Sequence, residues 1–547
     1  MRTLAISLCC AAASAATVTV DVGADRHPID PRIYGVAHAD AAALAALRAP
    51  LNRWGGNNTS RYNWQQNADN RANDWYFESI AYGSSTPGAE VDAFIQASRT
   101  GGGEPLVTVP IIGWVAKVAA DRSKLASFSI AKYGAQTGSD WQWFPDAGNG
   151  ILSSTGLPVV NTPGDANVAN STALQQGWVQ HLVGTWGSAT AGGVRWYVLD
   201  NEYGIWHSTH RDVQPTGVRL TEMRDAMVAY ATMIKAQDPG ALVMGPEEWG
   251  WTGYLYSGYD AQYASQHGWS SFPDRAANGN RDAMPWLLAQ LKQASTTAGK
   301  RLLDAFTVHY YPQGGEFSDD VSAAMQARRN RSTRSLWDPA YTDETWIATQ
   351  VRLIPRLKQW VADDYPGTPV GITEYNWGAE NHINGATAQA DVLGIFGREG
   401  LDLAARWATP AATTLTFKAM QLYRNYDGAG SGFGETSVRA TAPTPDSLAA
   451  FAAQRADGAL TVMLINKVAA AASTTVAISG FTAAGSAQVW QLTAANSITH
   501  PANLTVTSGS LTTTLPGQSI TLLVVPAANQ PPAVNPPANA DGPRVLP

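Results

Sequence analysis

The chain has 547 residues, 15% of them charged and 45% hydrophobic, with a net charge of −7. This length exceeds one ordinary domain, and the acid excess provides no basic face for nucleic acid. A folded protein acting on a neutral ligand fits such a balance. Twenty tryptophans and nineteen tyrosines stand against twelve phenylalanines, and flat rings with a polar handle stack on polar-rimmed ligands as readily as they fill cores.

In chain order, residues 1–15 read as a secretory leader: Arg2 precedes an apolar run over 4–13, and Ala13, Ser14 and Ala15 supply the small residues of a cleavage site. The run is too short to span a bilayer, and no later stretch is long enough to do so. A secreted, extracellular location is expected, with no membrane partner. Both cysteines, Cys9 and Cys10, fall inside the leader, so the mature chain is expected to hold no disulfide, thiolate metal site or cysteine nucleophile. Residues 16–30 alternate like a strand and are expected to join a sheet formed by the other end of the chain.

Eight short apolar runs follow, at 32–36, 50–54, 105–111, 194–199, 241–244, 303–309, 369–373 and 414–422. Amphipathic stretches with helical spacing separate several of them, notably 220–237, 284–296 and 346–362. Alternation of this kind predicts parallel strands with crossover helices. The fold class expected is α/β, a TIM-like (β/α)8 barrel over residues 31–435. Past residue 436 the composition turns to Ala, Thr, Val, Ser and Gly, with short runs parted by Gly, Asn and Pro. That predicts a second, smaller all-β sandwich over 436–526. The Pro-rich stretch 527–547 reads as a tail or linker.

Two glutamates carry the chemistry. Glu202 in LDNEYGIW follows the fourth run and Glu374 in GITEYNWG follows the seventh, where a barrel places its working residues at strand C-termini. Cleaving a glycosidic bond takes one neutral carboxyl to protonate the leaving oxygen and one anionic carboxyl facing the sugar centre. Glu202 is assigned as acid/base and Glu374 as nucleophile. Arg53, ending the second run, is the candidate cation near Glu374, with a surface ion pair as its alternative. Tyr310 or Tyr311 is positioned to donate a hydroxyl. Glu247, Glu248, Trp249 and Trp251 in GPEEWGW suggest indole platforms for sugar rings with the acids as hydroxyl acceptors, or a core role for one of the indoles. Trp54, Asn201, Trp206, His309, Asn376 and Trp377 complete the expected substrate contacts. His207 and His210 lie three apart without a third ligand, so they suit loop hydrogen bonds better than a metal.

The stretches LNRWGGNNTSRYNWQ, DWYFESI, VPIIGWVAK, WYVLDNEYGIWHSTHRDV, GPEEWGW, FTVHYYPQ, GITEYNWG and LYRNYDG, in that order, resemble glycoside hydrolase family 44. The resemblance implies a retaining endo-β-1,4-glucanase, a cellulase or xyloglucanase acting on a β-glucan polysaccharide. It implies a barrel with a sandwich assembled from both chain ends, the acid/base on Glu202 and the nucleophile on Glu374. No catalytic cofactor is implied; a structural calcium is allowed, with no ligands placed, and a monomer is expected. Tyr203 stands where the family usually has proline, Gln214 where it has histidine, and Tyr310 where tryptophan is common. Mannan- or xylan-active hydrolysis, transglycosylation and noncatalytic polysaccharide binding remain alternatives on the same site.

Overall fold

The computed structural model describes residues 16–528; the leader and nearly all of the Pro-rich tail lie outside the described residues. Two compact units are present. The first comprises residues 30–380 and 401–413, and the second comprises residues up to 29, 381–400 and those from 414 onward.

The first unit contains a closed barrel of eight strands, all paired in parallel. In chain order they are Gly35–Ala37, Leu51–Trp54, Glu104–Val109, Trp196–Leu199, Leu242–Glu248, Ala305–Tyr310, Val370–Tyr375 and Leu403–Arg406. Leu51, Leu106, Trp196, Val198, Met244, Ala305 and Leu403 form one buried cluster drawn from six of these strands. Such side chains fill a barrel interior and leave the C-terminal ends for polar groups. Helices Ala41–Leu47, Ala89–Thr100, Thr172–Trp186, Leu220–Gln237, Ala283–Ala298 and Leu353–Asp364 lie in the crossovers between the first seven strands. Local chemistry starts several of them: Asp40 accepts from Ala43 N at 2.7 Å, and Ser171 from Leu174 N at 3.2 Å.

Two sequence expectations are overturned here. Residues 414–422 are not the eighth strand: Leu415–Arg424 is a helix, and the eighth strand is Leu403–Arg406. The run TLTFKAMQL alternates weakly. However, Thr414 caps it by accepting from Phe417 N at 3.1 Å, and Leu415, Ala419 and Leu422 repeat at helical spacing. The true strand, LAAR, has two alanines and little strand propensity of its own. Likewise the helix expected over 346–362 begins only at Leu353. Pro355 is tolerated in a first turn, where its missing N–H is not needed, and not deep inside a helix.

The second unit holds a nine-strand path with order Ile498–Thr499, Ser486–Leu492, Ser519–Val525, Leu460–Asn466, Leu448–Gln454, Thr436–Thr441, Ala16–Asp21, Ala472–Ser479 and Ser510–Leu515. Ala16–Asp21 pairs antiparallel with Thr436–Thr441 and parallel with Ala472–Ser479. Both ends of the described chain therefore share one sheet system. Its core is apolar throughout, from Val18 and Val20 to Leu464, Val476 and Leu523. Helices Ile383–Arg398 and Leu415–Arg424, which follow the seventh and eighth barrel strands in sequence, group with this unit by compactness.

Candidate active site

The C-terminal ends of barrel strands two, four, five, six and seven bring Arg53, Glu202, Glu247, His309 and Glu374 together. Arg53 is wholly buried. Its Nη1 donates to Glu374 Oε1 at 2.6 Å, and its Nη2 donates to Asn201 Oδ1 at 2.8 Å and lies 3.1 Å from Glu247 Oε2. Tyr311 Oη donates to the other Glu374 oxygen at 2.8 Å. Burial and neighbouring carboxylates hold the Tyr311 hydroxyl far above its ordinary range, so it stays a donor, and both Glu374 oxygens act as acceptors.

His309 bridges the carboxyl groups. Its Nδ1 lies 2.8 Å from Glu202 Oε1 and its Nε2 3.1 Å from Glu247 Oε2. Burial opposes a charged ring, but the Glu374 charge and the bonds to Glu202 and Glu247 prevail and raise its pKa to about 9. Both ring nitrogens therefore donate at neutral pH. Glu247 moves the other way, to about 2: burial would raise it, but Arg53 and His309 overcome that, and the Thr307 and Thr373 hydroxyls also donate to it. Glu202 is raised, by burial first and by the Glu374 charge, against opposition from His309 and Arg53. A charge count agrees with this ordering. Arg53 and His309 are balanced by Glu247 and Glu374, so a third anion at Glu202 would be in excess.

The backbone that presents these groups is unusual. Asp200, Glu202 and Glu247 all have positive φ, at 61°, 49° and 58°, a region side-chain-bearing residues seldom adopt. Glu202 N donates to Glu247 O at 2.9 Å, and the Asp200 carboxylate accepts from Ile111 N, Ile112 N and Asn201 N at 2.5, 2.8 and 2.9 Å. Strand ends four and five are thereby fixed to each other and to the segment after strand three.

One oxygen of Glu202, one of Glu374 and a ring nitrogen of His309 lie within 4.8 Å of one another. This group does not suit a cation. Both His309 nitrogens carry protons, and Arg53 already occupies one face of Glu374.

Several expected contacts change role. Glu247 and Glu248 are wholly buried, so neither accepts from a sugar hydroxyl. Glu248 accepts from Trp249 N at 2.8 Å, and burial pushes its carboxyl up to about 8. Trp54, Trp206, Tyr310 and Trp377 are buried and pack around the site. Trp206 donates its indole N–H to Asn201 O at 2.7 Å, Trp377 to Ser332 Oγ at 3.0 Å, and Trp54 packs edge-on to Tyr62. Asn376 is buried too, donating to Trp407 O at 2.6 Å and accepting from Arg406 Nη2 at 3.0 Å. Glu202, Trp249, Trp251 and Tyr311 keep partial exposure. His210 is buried beside Arg61, and burial lowers its pKa to about 3. The bridge at His309 had no signal in the sequence beyond its place at the end of a strand. The buried Arg61–Asp212 pair, whose shortest contact is 3.0 Å, had no signal in the sequence either.

Comparison with known proteins identifies the family. Residues 68–314 match the profile of glycoside hydrolase family 44. Endoglucanase A of Paenibacillus lautus is 32% identical, the match covering 94% of this chain and 73% of that one. The crystal structure of CelM2, a bifunctional glucanase-xylanase protein from a metagenome library, superposes with a TM-score of 0.93 at 62% identity, covering 94% of this chain and 99% of that one. A Paenibacillus polymyxa xyloglucanase solved with xyloglucan gives 0.77 at 30% identity, covering 94% and 99%. Identity at this level over nearly the whole chain goes beyond a shared barrel. The chain belongs to glycoside hydrolase family 44.

Proposed function

We propose that this enzyme is a retaining endo-β-1,4-glucanase that cleaves internal bonds of cellulose-type glucans and xyloglucan, with Glu202 as acid/base and Glu374 as nucleophile. The observation that carries the reading is the approach of the two carboxyl groups, with oxygens within 4.8 Å. Retaining enzymes hold the pair about 5 to 5.5 Å apart, whereas inverting enzymes leave about 6.5 to 9.5 Å for a water.

In the first step a Glu374 oxygen forms a bond to the anomeric carbon as the glycosidic C–O bond breaks, and the Glu202 proton goes to the leaving oxygen. In the second, Glu202 takes a proton from water, whose oxygen attacks the same carbon and frees Glu374. The charge balance supports both halves. While Glu374 is anionic it raises Glu202; once esterified it carries no charge, so the Glu202 pKa falls and the carboxyl ionises, as a general base must to take the proton from water. The chemistry needs no cofactor. Structural calcium stays at the level of family resemblance, since the one converging His and carboxyl group among the described residues does not suit a cation.

CelM2 is described as acting on both glucan and xylan, and at 62% identity that favours xylan as a second substrate here. The chain is proposed to act as a monomer outside the cell after removal of residues 1–15. No helix among the described residues is long and apolar enough to cross a membrane. The test is covalent trapping with a slow 2-fluoro cellobiosyl donor, followed by peptide mass mapping. A label on Glu374, absent in Glu374→Ala, is expected; a label that persists in the variant refutes the assignment. Product sizing on xyloglucan, carboxymethylcellulose, xylan and mannan reads the polymer preference.

A further inference from the structure

Five tryptophans in the barrel unit stay exposed although most of the other large apolar side chains are buried: Trp269 and Trp346, each at 56%, and Trp75 at 43%, Trp141 at 75% and Trp143 at 66%, the last three converging on one hairpin turn. Exposed indoles in a group, rather than singly, mark a binding surface. Trp75 and Trp143 share one anchor, which Trp141 follows directly in sequence. Asp140, only 3% exposed, accepts from the Trp75 indole N–H at 3.3 Å and from Trp143 N at 3.1 Å. It closes the turn 141–143 between the paired strands Ser139–Asp140 and Phe144–Gly148. The rings are thus presented by a fixed hairpin turn held against the Trp75 segment.

A chain of hydrogen bonds links this segment to the active site. Asp74, beside Trp75 in sequence, accepts from the Asn57 amide at 3.1 Å on both oxygens, and Asn57 Oδ1 accepts from Asn201 at 3.4 Å. Asn201 in turn holds Arg53 and precedes Glu202 in sequence. Resting on the function proposed above, we propose that Trp75, Trp141 and Trp143 form an aromatic platform that binds the glucan backbone beyond the sugars at the carboxyl pair. A β-1,4-linked glucosyl ring is flat, with its hydroxyls at the rim and C–H groups on its faces, and indole faces match those C–H surfaces. Asp140 is engaged by Trp75 and Trp143 beneath the rings, and the exposed indole faces suit a neutral polysaccharide.

The experiment compares wild type with the double variant Trp141→Ala/Trp143→Ala on xyloglucan and on an aryl cellobioside too short to reach the platform. Loss of two stacking surfaces should lower the ratio of polymer to aryl-cellobioside kcat/KM about tenfold, mainly through KM. Migration of the variant in a native gel containing xyloglucan should be retarded less than wild type. Asp140→Ala, which frees the turn without removing a ring, should lower the ratio in the same direction. An unchanged ratio with unchanged gel retardation overturns the platform, and so does an equal loss on both substrates. A wild type that cleaves no glucan polymer instead refutes the function on which the platform rests.

Discussion

Replacing Glu248 by Gln isolates the electrostatic cost of burying a carboxyl group that takes no part in an ion pair. The side chain is wholly buried and accepts from Trp249 N at 2.8 Å. Burial foremost, then the Glu202 charge, lifts its pKa from 4.5 to about 8. A group raised on folding contributes stability that is complete below its unfolded pKa and is lost as pH rises through the folded value. Wild type should therefore lose stability between pH 4.5 and about 8 relative to the variant, whose amide does not titrate. The whole shift corresponds to an upper bound on the order of 5 kcal/mol, and local relaxation with water entry reduces this to several kcal/mol. His309, raised to about 9, Asp200, raised to about 6, and Glu202, also raised, are common to both proteins, so they enter the difference only through their coupling to Glu248. The assay is urea unfolding of both proteins from pH 5 to 8.5, following the barrel transition. A difference in unfolding free energy that grows steadily in favour of the variant supports the account. A difference flat across that range would falsify it, because it would mean that Glu248 ionises in the folded protein as it does in the unfolded chain.

Glu202→Gln should lower kcat on glucan polymers about 10²- to 10⁴-fold while largely sparing the first step on activated aryl glycosides, whose leaving groups need no proton; equal losses on both, measured by burst and steady-state rates, argue against the acid role. Arg53→Met strands Glu247 and Glu374 in a buried site, and should cost about 3–5 kcal/mol in unfolding free energy together with most activity; retention of wild-type stability would show that the guanidinium is not what balances them. Gly35→Ala would place a methyl group inside contact distance of the Ala404 carbonyl, between the first and eighth barrel strands. Calorimetry should show a loss of about 1–3 kcal/mol from such overpacking.

How far the sequence reaches differs from element to element. Leu220–Gln237 and the strands around 196–199, 305–310 and 370–375 were legible because each has one strong period and clear punctuation at its ends. LAAR at 403–406 was not, since four residues with two alanines become a strand only because the barrel closes there. The segment at 414–422 carries strand-forming residues, yet its Thr414 cap and its buried helical face decided for a helix. In the site, Glu202 and Glu374 stood out in the sequence by their aromatic and amide neighbours, and the barrel brings both to the same end. Glu248 looked equally available in GPEEWGW, but its exposure depends on groups from other elements, chiefly the turn around Gly204 and the helix start at Gly253.

The sequence by itself determined the barrel class and the shared sheet of the two described chain ends, and it singled out the two carboxyl groups proposed to react, because periodicity and motif chemistry are local. Only the tertiary structure decided which groups carry protons. Arg53, Glu247 and His309 come from strands two, five and six, and a pKa depends on burial and on charges a few ångströms away. Those separations exist only once the barrel has closed.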